Sequence, residues 1–137
     1  MTVVKWAETL PYEITRVWEV VTSLTEYQWR SDVDRIEVLD DHRFIEYTKA
    51  GYPTTFTVRD MQLHQRWEFA VENDNILGSW TGEFFQQGGG TRLEFQERVT
   101  AKKPWLRPFI KVYLKRQQAR YFSDLKKALS RGQGGRG

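Results

Sequence analysis

"GSWTGEFFQQGGGTRLEFQERV", residues 78–99, sets two aromatic-bearing runs on either side of three consecutive glycines. The second run alternates cleanly. Thr91, Leu93, Phe95, Glu97 and Val99 fall on one face, and Arg92, Glu94, Gln96 and Arg98 on the other. A two-residue period marks a strand with one buried and one wet face, as antiparallel sheets have. A phosphate-cradling loop would need a strand, then glycines, then a helix whose N-terminus faces the anion, with a Gly-Lys pair in its nucleotide-binding form. Here a strand follows and no Gly-Lys pair occurs, so Gly88, Gly89 and Gly90 read as a hairpin turn that needs positive φ. In the first run, either Trp80, Gly82 and Phe84 or Glu83 and Phe85 point inward. The former set is preferred, because a glycine on an inner face leaves room for a ligand.

The same period extends upstream. "VVKWAET" (3–9) reads as a strand stopped by Pro11. "VDRIEVLD" (33–40) and "HRFIEYTKA" (42–50) read as strands meeting at Asp40-Asp41, and "TFTVRDMQL" (55–63) and "QRWEFAVE" (65–72) as the next two. Two regions break the pattern. Ile14, Val17, Trp18, Val21 and Leu24 fall at helical spacing, and "TSLTEYQWRSD" (22–32) is expected to form a second short helix with Thr25 as N-cap. Downstream, Pro104 suits a first helical position. From there Leu106, Ile110, Tyr113, Leu114, Gln117, Tyr121, Leu125 and Ala128 make one stripe to about Leu129. "RGQGGRG" (131–137) is expected to be a disordered tail. The order predicts an α+β fold: a curved antiparallel sheet of about seven strands wrapped on a long C-terminal helix, with two short helices after strand 1. Residues 1–130 form a single domain. A curved sheet gripping one helix leaves a cavity between them, where a ligand would sit.

Composition bounds the chemistry. The 137 residues suit one domain with its own core. With no cysteine, disulfides, thiol nucleophiles and thiolate metal sites are excluded. The N-terminus lacks a basic segment followed by an apolar one, and no apolar run reaches the ~18 residues of a membrane span, so no integral membrane segment and a cytoplasmic location are expected. Aromatics are 15% of the chain, six of them Trp, which suits either a ring-walled cavity or an aromatic core. The net charge of +3 is unevenly spread: residues 101–137 carry +10 and residues 1–100 carry −7. Lys111, Lys115, Arg116 and Arg120 lie on the back of the terminal helix and fit a solvated face or an anionic partner surface.

Several side chains are candidates for chemistry. Glu97 shares the inward face of its strand, where a carboxylate is costly unless partnered or hydrated and where its pKa would rise toward a general acid/base role. It is the candidate catalytic residue, unless the strand end carries it to solvent. Tyr113, Gln117 and Tyr121 would place an amide and two phenols toward the sheet, suited to orienting a carbonyl or hydroxyl, or the tyrosines are ordinary core residues with their hydroxyls at the rim. Trp67, Phe69, Trp80, Phe84 and Phe95 would line the same space or fill the core. His42 and His64 lie on different strands, and no carboxylate spacing near them supports a metal. No cofactor is expected, and the oligomeric state is left open. In "KKPWLRPFIKV" (102–112), Trp105, Phe109 and Val112 fall off the main stripe. They pack on the short helices at the cavity mouth, or form an exposed aromatic-basic patch.

Three stretches in this order carry a resemblance: "YEITRVWEVVTSLTEYQWRSDVDRIEVL" (12–39), "GGGTRLEFQERV" (88–99) and "YFSDLKKAL" (121–129). Together they resemble the START/Bet v1-like (SRPBCC) superfamily, in particular its bacterial polyketide cyclase/dehydrase-type members, over nearly the whole chain. The resemblance implies a helix-grip fold and a hydrophobic small-molecule ligand, aromatic-polyketide-like or lipid-like, with cyclase or dehydratase activity as one outcome. It fixes no reaction, because the superfamily hosts many.

Overall fold

A computed structural model describes the backbone of residues 1–134. Seven strands form one antiparallel sheet: β1 (Thr2–Leu10), β2 (Arg35–Val38), β3 (Arg43–Tyr47), β4 (Pro53–Gln62), β5 (Arg66–Glu72), β6 (Ile76–Gln87) and β7 (Gly90–Ala101). Their order across the sheet is β1-β7-β6-β5-β4-β3-β2. Strands β2 to β7 are thus a plain meander, and the N-terminal strand closes onto the last one. Helix α1 (Ile14–Thr22) follows β1, a 3-10 turn (Pro104–Leu106) follows β7, and α2 (Arg107–Gly134) runs to the end of the described backbone. The sheet curves around α2, as the helix-grip reading requires. The helical backbone includes residues 131–134 of the expected 131–137 tail, and residues 135–137 lie outside the described residues.

The glycine triplet divides into separate roles. Gln87 pairs with Gly90, leaving Gly88-Gly89 as a two-residue turn. Gly88 takes φ 60°, the left-handed conformation that glycine adopts without penalty. Gly90 is needed for a different reason: a Cβ there would sit 2.5 Å from the Leu10 carbonyl oxygen at the end of β1.

A second short helix after α1 does not form. From Ser23 to Asp34 the chain is turns and irregular backbone. The Ser23 hydroxyl accepts hydrogen bonds from the Thr25 and Glu26 amides at 3.3 and 2.9 Å. The Trp29 indole donates to the Glu26 carbonyl at 3.1 Å. These local bonds offer the backbone an alternative to the helical ladder. Tertiary ties complete the capture: the Ser31 amide and hydroxyl both donate to Asp124 on α2, at 2.8 and 2.7 Å.

The apolar interior has two parts. A large cluster joins Val17, Trp18 and Val21 of α1 to the sheet and to Phe122, Leu125 and Leu129 of α2. A smaller one joins Val4, Val99, Ile110 and Leu114. The buried stripe of α2 is therefore Ile110, Leu114, Gln118, Phe122, Leu125 and Leu129. It is rotated from the expected stripe, which contained Tyr113, Gln117, Tyr121 and Ala128. A glutamine stands in the middle of either stripe, Gln118 in the true one and Gln117 in the expected one, so apolar spacing does not choose between them.

Candidate functional site

A cavity of about 480 Å³ lies between the concave sheet and α2, within the range typical of small-molecule sites. Strand alternation brings Trp67 and Phe69 of β5, Trp80 of β6, and Phe95 and Glu97 of β7 to its wall. Tyr113, Gln117 and Tyr121 reach it from α2. The rings pack as a continuous wall: Trp80 stacks on Phe69 at 4.7 Å between centroids and tilts against Phe95 at 4.5 Å.

Two sequence expectations need correction. Phe84 is buried but does not reach the cavity. Its ring meets Trp18 of α1 edge-on at 4.8 Å, because β6 at that point runs beneath α1 rather than α2. Gly82 does point inward with Trp80 and Phe84, but it does not make space for a ligand. A Cβ there would lie 2.6 Å from the Trp80 ring, so this glycine makes room for the indole of its own strand.

Glu97 lies at the seam between the two apolar clusters, between Phe95 and Val99 on β7. Its Oε1 accepts a hydrogen bond from Gln118 Nε2 at 3.0 Å, and the same nitrogen donates to the Val4 carbonyl at 3.3 Å. Burial pushes the Glu97 carboxyl up to about 7, against the opposing pull of the Gln118 hydrogen bond and the Arg30 charge. Gln117, one residue away, instead donates to the Tyr113 hydroxyl at 2.9 Å near the surface. Burial also raises the Tyr113 and Tyr121 phenols above their ordinary value, so both are neutral donors.

Sequence reasoning missed a charge cluster that also borders the cavity. Arg30, from the irregular 23–34 segment, holds Glu46 of β3 through two hydrogen bonds, 2.7 and 3.1 Å, and Asp32 at 3.1 Å. Its guanidinium lies 5.3 Å from the Tyr121 ring centroid. Burial disfavours its charge, but the two carboxylates outweigh this and hold it protonated. The signal was present as "WRSD" (29–32), but a residue expected on a short helix gives no reason to look for a buried partner sixteen positions on.

Burial leaves five side-chain atoms among the described residues without a hydrogen-bond partner: Arg30 Nε, Asp32 Oδ1, Tyr52 OH, Trp67 Nε1 and Gln118 Oε1. All five belong to residues that line the cavity.

Other candidates lie elsewhere. His42 is in the β2–β3 turn, and His64, at φ 61° in the β4–β5 turn, meets Trp18 edge-on at 6.0 Å. Trp105, Phe109 and Val112 are 67%, 66% and 54% exposed, so the packed alternative fails for them, although Phe109 also borders the cavity. Lys111, Lys115, Arg116 and Arg120 are exposed on the outer face of α2. Among the described residues, no helix is long and apolar enough to cross a membrane.

A family model described as polyketide cyclase/dehydrase and lipid transport matches residues 1–130. The chain belongs to this family. Solved structures agree with the fold of the polyketide cyclase/dehydrase family member. A START superfamily protein from Mycobacterium smegmatis aligns with TM-score 0.83 at 13% identity, over 94% of this chain and 97% of that one. The Zhui aromatase/cyclase from a Streptomyces species aligns with TM-score 0.81 at 14% identity, over 95% and 94%. A conserved Geobacillus kaustophilus protein gives TM-score 0.82 at 10% identity, over 95% and 96%. At such identities the likeness is one of fold. No curated protein matches the chain in sequence.

Proposed function

We propose that this polyketide cyclase/dehydrase family member binds a hydrophobic small molecule, aromatic-polyketide-like or lipid-like, between the sheet and α2. One observation carries the reading: the residues whose buried side-chain polar atoms lack a partner, among the described residues, all border an aromatic-walled space of about 480 Å³. Unpaired buried polar atoms are costly, and a ligand with an apolar body and a few polar groups would satisfy both features. Glu97, with a carboxyl that titrates near neutrality, suits proton transfer to a ligand carbonyl or hydroxyl, the kind of step a cyclase or dehydratase needs. A thermal-shift and native mass spectrometry screen with aromatic polyketides, quinones and neutral lipids tests binding. Failure of every apolar ligand to bind or to raise the melting temperature would sink the reading. If a turnover is found, an unchanged rate in Glu97→Gln removes the catalytic role.

A second reading concerns the outside of α2. Its basic face alone would suit anionic lipid, RNA or an acidic protein. Exposed Trp105, Phe109, Val112 and Tyr113, interleaved with Arg107 and Lys111, favour a lipid surface, since rings insert at a bilayer interface while cations meet anionic headgroups. Co-sedimentation should be strong with phosphatidylserine-containing vesicles and weak with pure phosphatidylcholine. It should be lost when Lys111, Lys115, Arg116 and Arg120 are changed to Glu. Equal sedimentation with both vesicle types would refute this docking.

A further inference from the structure

The cavity's charged side chains carry an inference about its ligand that rests on the binding reading above. Three carboxylates border the space, Asp32, Glu46 and Glu97, against a single cation among the described residues, Arg30. In many sites a buried arginine would clamp a ligand carboxylate through its paired terminal nitrogens. Arg30 cannot do so here. Nη1 is held by Glu46 at 2.7 Å, and Nη2 is shared between Glu46 and Asp32 at 3.1 Å each. Three of its five N–H groups are used; the Nε–H and the second Nη1–H remain, on a guanidinium that two carboxylates already neutralise.

The unpaired atoms point the same way. Gln118 Oε1 and Asp32 Oδ1 are acceptors that receive no donor from the protein, on residues that border the space, and a ligand donor would suit them. Trp67 Nε1 and Arg30 Nε are donors that a neutral carbonyl or hydroxyl oxygen can satisfy, and the Tyr52 hydroxyl can act either way. A hydroxyl group serves both kinds of site. A carboxylate offers no donor and meets an interior already in negative excess.

We infer that the cavity selects an uncharged, hydroxyl-bearing apolar ligand and rejects ligands that carry a free carboxylate, with Glu97 and the Asp32–Arg30–Glu46 cluster as the selecting groups.

Calorimetric titration with a matched pair of probes, 2-naphthol and 2-naphthoate, reads this directly. The pair shares one ring system and differs in the polar group. At about pH 8, above the Glu97 value of about 7, 2-naphthol should bind at least about tenfold more tightly, since the naphthoate charge is brought against like charges in the cavity wall. In Glu97→Gln, an isosteric change, the preference should shrink by naphthoate gaining affinity while naphthol changes less. Equal binding of the two probes, or tighter binding of naphthoate, overturns the inference and leaves the cavity a ligand site. If neither probe binds, a second pair of larger size, estradiol and its 3-carboxylate analogue, is used with the same criterion. If the apolar screen above finds no ligand at all, it is the binding reading that fails, and the selectivity falls with it.

Discussion

Glu97 concentrates the physical tension of this protein in one side chain. It is a carboxylate on the inner face of a strand, held by a single neutral donor, Gln118, whose own carbonyl oxygen has no partner. Its raised pKa has a consequence for stability with a definite sign. Between the ordinary carboxyl value of 4.5 and about 7, the folded protein keeps a proton that the unfolded chain has released. The unfolded state then binds fewer protons, so this group's contribution to stability falls as pH rises through that window and is level above it. The full shift corresponds to about 3 kcal/mol as an upper bound. Urea denaturation at pH 5 and pH 8 should therefore show a smaller loss in Glu97→Gln than in the native sequence, and equal losses would refute the assignment. Arg30 makes the opposite case, a buried charge that its partners satisfy. Its replacement by Met should destabilise by roughly 3–5 kcal/mol, because Glu46 and Asp32 would remain as uncompensated charges; a change below 1 kcal/mol in chemical denaturation would show the cluster to be solvated.

At the scale of elements, the β6–β7 hairpin is the part that sequence periodicity read best. Its alternation is carried by large side chains on one face and charges on the other, and the twelve-residue strands pair from Ile76–Ala101 to Gln87–Gly90. The pairing also depends on a glycine outside the turn. A Cβ at Gly78 would fall against the Arg98 carbonyl and 2.9 Å from the Val99 Cα, both backbone atoms that cannot rotate away. Gly78→Ala should cost about 2 kcal/mol or more, read as a lowered denaturation midpoint. Gly89→Ala, with open space around it, should cost far less, and equal effects would contradict this division of roles. The long helix was legible as an element but not in its rotation, because a glutamine stands at the centre of both the expected and the true stripe and spacing alone does not choose between them. The second short helix expected over 22–32 does not form, because the conformation there is fixed by Ser23, by Asp124 on a distant helix and by the Arg30 ion pairs.

Across the whole molecule, a sheet wrapped on a single helix leaves an interior that its own side chains do not fill. A ligand of the expected kind, present at about 100 times its dissociation constant, should add about 2.7 kcal/mol to stability, seen as a melting temperature higher by several degrees. The sequence by itself determined the run of strands, the long helix, their antiparallel meander and the shared face of Phe95 and Glu97, and it favoured Trp80 over Glu83 on the inner face of β6. These follow from periods of two and 3.6, which act between near neighbours. Only the tertiary structure decided that Gln118 partners Glu97, that Phe84 belongs to α1 and that Arg30 is buried between two carboxylates. Each depends on how elements far apart in the chain are rotated and laid against one another. Burial and its electrostatic consequences are set by that approach, and local spacing carries no record of it.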